Sequence, residues 1–253
     1  MKWNELVIRY FIKWKKLIYL GLIILLAAPI IILYSGFNGN PVSKYFSTIT
    51  LKSYLNKTYP DHEFDVSSGE YNFKNSGYDY EVRQIGDKSS KVYDFTVEGV
   101  FIPKVVHDGI YYANLDRPLM NKLSSEAETE LTKLLNRKIA PIKRLDVELE
   151  ILKGKYPLET NWGLDINLEK PLYIYVQTDA THQSKSEFFE DAKTIQQTLK
   201  ASNYIYDYVI VNGNYFGEDI DPLGFVKYSI GFDKDTKLKM KKIEEPNKES
   251  FID

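Results

Sequence analysis

The strongest constraint on this chain is a run of 21 residues without a formal charge, LIYLGLIILLAAPIIILYSGF, from Leu17 to Phe37. A helix rises about 1.5 Å per residue, so this run crosses the roughly 30 Å hydrocarbon core of a bilayer. A helix satisfies its own backbone groups there, and Pro29 is tolerated inside the span with a kink. Lys2, Arg9, Lys13, Lys15 and Lys16 precede the run against the single acid Glu5, and the first base after it is Lys44. By the positive-inside rule the N-terminus is cytoplasmic and the remainder extracytoplasmic. Trp3, Trp14 and Tyr19 serve as interfacial aromatics. A cleaved signal peptide would have an apolar region of roughly 7–15 residues and a small-x-small site. Here the run is longer, and Ala27-Ala28 meets Pro29, which suits cleavage poorly. The expected layout is a basic cytoplasmic segment 1–16, a transmembrane helix 17–37, and two extracytoplasmic units, 38–140 and 141–253.

Composition narrows what the exported part does. The chain has 33 basic and 35 acidic residues, but five bases and one acid lie in residues 1–37, which leaves the remainder acidic by six. Such a surface lacks the basic footprint that nucleic-acid binding requires. There is no cysteine, so disulfides, thiolate metal sites, thiol nucleophiles and a lipidated cysteine are all excluded. Lys exceeds Arg strongly, as in AT-rich bacterial genomes, and cysteine-free exported domains suit Gram-positive bacteria.

Periodicity gives the architecture. Val42, Tyr45, Phe46, Ile49, Tyr54 and Leu55 recur at spacings of three and four, which predicts a helix over 42–59 with this stripe as its core face. Asn40 or Ser43 with Pro41 signals its start, and Tyr59-Pro60 its end. Period-two stretches follow: Phe64 and Val66; Tyr71 and Phe73; Tyr78, Tyr80 and Val82; Tyr93, Phe95 and Val97. Their alternation with polar residues predicts an antiparallel sheet with one wet face. Leu119, Leu123, Ala127, Leu131, Leu134 and Leu135 form the stripe of a second helix over 118–138, with Ala140-Pro141 as the expected boundary. Beyond it, strands are expected from Leu145 to Ile151, at 172–177, 204–211 and 225–232. Ser184 and Glu187 form a capping box for a helix reaching Lys200. The tail from Lys237 onward is charged and expected to fray. The expected fold is α+β: a transmembrane helix followed by two small helix-on-antiparallel-sheet units.

Tyr54-Leu55 and Tyr59-Pro60-Asp61, followed by Phe64, Val66, Tyr71, Phe73, Lys74 and Tyr78, form a pattern that resembles the uncharacterised YfjL-like proteins of low-GC Gram-positive bacteria. The resemblance lies mainly over residues 1 to about 100 and extends only faintly into the second unit. It implies an exported location and a curled, cystatin-like sheet against a helix. It carries no activity and no residue roles.

Chemical motifs are sparse. His62, His107 and His182 are not at metal-ligand spacing, and there is no HExxH. His107-Asp108 would be half of a hydrolytic arrangement, but no Gly-x-Ser-x-Gly elbow accompanies it. Glu218, Asp219 and Asp221 do not match the calcium-loop spacing, and Asp233-Lys234-Asp235-Thr236 lies among lysines that oppose a cation. No phosphate loop or dinucleotide fingerprint occurs. No catalytic, cofactor-binding or metal residue is therefore assigned.

The most unusual feature is the twenty tyrosines. Tyr173 and Tyr175 are expected to share one strand face, and Tyr204, Tyr206 and Tyr208 another. Either these residues pack beneath covering elements, or they form a face that grips a partner by stacking and hydrogen bonding. The expected function is a non-enzymatic, membrane-anchored envelope protein that binds another protein through such a face or by strand addition. The alternative is a sensor or binding module for a peptide or wall polymer. A hydrolase would require His107 or paired carboxylates to converge.

Overall fold

The computed structural model describes residues 2–88, 90–100, 102–217 and 223–247, with side chains from Trp14 onward. The chain divides into two units, Met1–Ala113 and Asn114–Asp253.

The first unit opens with helix α1 (Lys2–Asn38), which contains Pro29. It is long and apolar enough to cross a membrane, and none of its apolar window is buried. It ends where Gly39 adopts φ +70° and donates its N–H to the Ser35 carbonyl at 2.9 Å. Asn40 is then extended and caps helix α2 (Pro41–Thr58) by accepting from the Ser43 N–H.

The expected core stripe of α2 is only partly right. Its buried residues are Ser43, Ser47, Leu51 and Leu55, whereas Val42, Tyr45, Phe46 and Ile49 face outward. The reason is the depth of the sheet's tyrosines. Tyr78 meets Ser43 Oγ through its hydroxyl at 2.8 Å, and the Tyr80 hydroxyl lies 3.1 Å from Thr48 Oγ1. Short polar side chains leave room for those rings where a row of aromatics would collide.

The sheet beneath α2 is wholly antiparallel. Strands β1 (Phe64–Val66) and β2 (Glu70–Asn72) both pair with β3 (Gly77–Gln84), which pairs with β4 (Val92–Glu98), and β4 with β5 (Lys104–Asp108). Short helix α3 (Gly109–Ala113) then adds Ile110 to a core of Leu51, Leu55, Tyr78, Tyr80, Val82, Phe95 and Val97. The alternate positions, including Asp79, Glu81, Asp94 and Thr96, form the polar face, as strand geometry requires.

The second unit corrects two expectations. Helix α4 (Arg117–Leu135) belongs to it rather than to the first unit, so the division falls after Ala113 and not at Ala140-Pro141. The stripe of α4 packs against β6 (Ile142–Glu148), and its preceding segment is tied in by a bridge between Leu115 and Leu152. The proline follows a tight helix-to-strand turn instead of a linker.

The sheet is also mixed. β6 pairs antiparallel with β7 (Leu172–Asp179), β7 runs parallel to β8 (Tyr206–Tyr215), and β8 pairs antiparallel with β9 (Phe225–Phe232). Helix α5 (Lys185–Ala201) is the crossover that lets β7 and β8 lie parallel. Its Ser184–Glu187 capping box forms as expected. Leu145–Val176–Val211–Ile230 and Val147–Ile174–Val209–Phe232 align in register across all four strands, giving one apolar face. Leu119, Leu123, Ala127, Leu131 and Leu135 of α4 and Phe188, Ala192, Ile195 and Leu199 of α5 supply the opposing layer.

The tail does not fray at Lys237. Gln196 donates to the Thr236 carbonyl, a 3₁₀ turn spans Met240–Lys242, and Ile243 is buried. Glu244 exchanges two backbone hydrogen bonds with Ser229, and Lys185 pairs with Glu245 at 2.6 Å. The outer edge of β9 is therefore occupied at that point, which closes it to an incoming strand.

Candidate functional site

Of the two expected sets of tyrosines, Tyr173 and Tyr175 share a strand face and Tyr204, Tyr206 and Tyr208 do not. Tyr173 and Tyr175 lie on the β7 face away from the helices, alternating with buried Leu172, Ile174 and Val176. The pairing shifts between Leu172–Tyr206 and Tyr173–Tyr208, so Asp207 is an extra residue on β8. Such a bulge reverses the side-chain parity of the strand on either side of it.

Tyr206 consequently lies in the core, 4% exposed, with its ring edge-on to Phe232. Tyr204, just before the strand, is also buried, and its hydroxyl donates to Glu130 of α4 at 2.5 Å. Burial, then the Glu130 carboxylate, raises the Tyr204 phenol pKa well above its ordinary value. Tyr208 alone of the three joins the outer face. Its ring stacks on Tyr173 with centroids 6.1 Å apart and planes at 28°. It lies across Gly231, where any Cβ would collide with the ring.

The outer face reads in rows. Glu148, Tyr173 and Tyr208 form one; Asp146, Tyr175, Ile210 and Gly231 the next; Arg144, Gln177, Asn212 and Ser229 the third. Arg144 lies 6.0 Å from the Tyr175 ring centre and pairs with Asp146 at 2.6 Å. Asn212 donates to the Tyr175 hydroxyl at 3.1 Å. The face therefore offers aromatic rings at its centre and polar groups of both signs beside them. Burial, then Glu148 and Tyr208, raise the Tyr173 phenol pKa, so that hydroxyl stays a donor at neutral pH.

The alternation of β8 does not announce the position of the bulge, and the placing of Arg144, Asp146 and Asn212 beside the Tyr175 ring depends on strand pairing. A signal was present. Val209 and Val211 stand in opposite parity to Tyr204 and Tyr206, so an unbroken strand would have to bury both sets.

The other candidate groups are occupied structurally. Asp108 is 8% exposed and accepts from the hydroxyls of Tyr54 at 2.8 Å and Tyr59 at 2.6 Å, while its other oxygen accepts the Tyr111 N–H. Burial first, and then the Asp108 carboxylate, push the Tyr54 phenol up to about 12 and Tyr59 higher still. His107 stacks flat on Tyr112 at 4.8 Å. His107 and Asp108 are successive residues of one strand, so their side chains project to opposite faces of the sheet. His62 sits beside Phe64 and Gln84, and His182 is exposed.

The Asp233 carboxylate is taken up by Thr236 Oγ1 and the Asp235 N–H, which makes that motif a turn. Glu218, Asp219 and Asp221 lie outside the described residues. Among the described residues no cluster of three metal-ligating side chains occurs. A groove of about 690 Å³ on the polar face of the first sheet is lined by Glu70, Asp79, Glu81, Asp94 and His107 among others. There Asp79 is held by Asn72 and Thr96, and Glu81 by Arg83, so these groups satisfy one another.

Residues 14–109 match the YfjL-like N-terminal domain, and residues 126–245 match the YfjL-like C-terminal domain. The uncharacterised protein YfjL of Bacillus subtilis (strain 168) is 31% identical over 224 residues, covering 86% of this chain and 93% of that protein. A crystal structure of a DUF5037 family protein from Ruminococcus gnavus ATCC 29149 aligns over 66% of this chain and 74% of its own. That alignment has 12% identity and a TM-score of 0.22, too low to bear on fold or function. Relatedness thus extends beyond the first unit, where the aromatic pattern lay, to residues 126–245 of the second, and the chain belongs to the YfjL-like family.

Proposed function

We infer that this is a single-pass membrane protein of the cell envelope, with a cytoplasmic N-terminus and two extracytoplasmic units that bind another protein without catalysing a reaction. The first unit is cystatin-like in plan, with one helix laid on an antiparallel meander. The observation that carries the membrane reading is α1, whose apolar side chains from Leu17 to Phe37 stand open. An apolar surface of that size has no stable place in water.

The binding reading rests on the outer face around Tyr173, Tyr175 and Tyr208. The Tyr173 and Tyr208 rings are stacked, and aromatic residues of this kind are enriched at the centres of protein interfaces. Arg144, Asp146 and Asn212 around the rings also support the second reading, a sensor or binding module for a peptide or wall polymer, because sugars and peptides are gripped by stacking together with hydrogen bonds.

Protease treatment of intact protoplasts carrying a C-terminally tagged full chain tests the topology. The tag is expected to be lost, and its survival would overturn the extracytoplasmic assignment. Crosslinking and capture of the same chain, beside a Tyr173→Ala/Tyr208→Ala variant, tests the face. A partner recovered equally well with both proteins would place binding elsewhere. Retention of purified wall fragments, abolished in the variant, would favour the second reading.

A further inference from the structure

The geometry points to a lipid-seating surface: the outward face of the first two turns of α2, together with Phe37 and Phe73, rests in the interfacial layer of the bilayer that α1 spans. This rests on the membrane reading above and extends it from an anchor to a defined seat for the first unit.

The first observation is an apolar stripe where a water-facing one belongs. Val42, Tyr45, Phe46 and Ile49 recur at helical spacing and are 64%, 63%, 50% and 45% exposed. Beyond Ile49 the same outward side turns polar, with Lys52, Ser53, Asn56 and Lys57. The apolar part is thus confined to the end of α2 nearest α1. It rises about 10 Å along the helix, the length of roughly two turns.

Continuity with the membrane helix is the second observation. Only Gly39 and Asn40 separate α1 from α2. A second chain segment meets α1 at the same level: the Tyr71 hydroxyl donates to the Gly36 carbonyl, and Phe73 contacts Phe37 with centroids 6.2 Å apart. Both phenylalanines are more than half exposed. Two stretches distant in sequence therefore bring apolar rings to the end of the spanning helix.

Charge is the third. No Asp or Glu occurs from residue 6 to residue 60 of a chain holding 35 of them, and α2 carries Lys44, Lys52 and Lys57. An apolar stripe on a helix with only basic charges suits a surface of anionic lipids. It does not suit the mixed charge of an ordinary water-facing helix such as α4 or α5.

The absence of native cysteine permits single spin labels in the full-length protein, reconstituted into vesicles of phosphatidylglycerol and phosphatidylcholine. Tyr45→Cys, Phe46→Cys and Phe73→Cys are compared with Leu26→Cys in the span and with Ile85→Cys, which is 57% exposed in the turn just after β3. Labels at 45, 46 and 73 are expected to collide with oxygen several-fold more often, relative to a water-soluble nickel chelate, than the label at 85. If they match the label at 85 while the label at 26 lies in the bilayer, the seating proposal fails and the anchor stands. If the label at 26 is itself aqueous, the membrane reading fails. Shielding of 45 and 46 from both reagents would mean that a second copy or another protein covers the stripe, which also overturns the proposal.

Discussion

In the first unit the tyrosine hydroxyls are spent on joining a helix to its sheet, whereas in the second unit a single extra residue sorts tyrosines between core and surface. Tyr78 and Tyr80 reach α2 from β3, and Tyr54 and Tyr59 reach from α2 and its cap to Asp108 at the end of β5. In β8, by contrast, Tyr206 is buried in an apolar layer while Tyr208, beyond the Asp207 bulge, lies on the outer face. The same residue type thus serves as a polar strut, a core filler and a surface plate. What decides among these roles is strand parity and the depth of the layer opposite, since a phenol is apolar enough to bury and polar enough to tie.

The sharpest test of this contrast lies within β8. Tyr206→Ala is expected to destabilise the second unit by about 3–5 kcal/mol, the range for a large buried aromatic. Tyr208→Ala should cost only about 0.5–1.5 kcal/mol, the value of a stacked pair. Urea unfolding followed by near-ultraviolet circular dichroism compares the two, and equal losses would refute the bulge.

In the first unit Asp108→Ala leaves two phenols and one N–H without their acceptor. The expected cost is about 2–3 kcal/mol, moderated because both phenols keep some contact with water. Limited proteolysis should show the loss within residues 38–113 and leave the second unit intact. Cleavage spread across both would deny the network its local role.

Alkaline titration probes the same network. Folding raises the Tyr54 phenol to about 12 and Tyr59 further, above the unfolded value of about 10. Their contribution to stability is therefore complete below about pH 10 and drains away as pH climbs toward the folded values. Thermal melts from neutral pH into that window should fall less steeply for Tyr59→Phe than for the wild type. Parallel profiles would mean that other groups govern alkaline unfolding.

An effect as small as that at Tyr208 is expected at α5, where Ser184→Ala removes the capping-box hydroxyl for about 1 kcal/mol. This separates ordinary helix capping from the tyrosine effects, and a much larger loss would mean that Ser184 does more than cap.

By itself the sequence determined the apolar span, its charged flank, the helices at α2, α4 and α5, and most strands, because period and end signals are local properties of the chain. Asn40 before Pro41, and Ser184 with Glu187, were legible for the same reason: a cap is settled within four residues. The tertiary structure alone decided which side of α2 is buried, since that depends on Tyr78 and Tyr80 arriving from 35 and 32 residues away. It also decided that α4 belongs with β6, and that β7 and β8 run parallel. The candidate face was half legible: Tyr173 and Tyr175 followed from alternation, but Tyr208 parted from Tyr204 and Tyr206 at one bulged residue. Period-two alternation specifies faces only while the ladder is unbroken, and one extra residue changes the parity of every side chain beyond it.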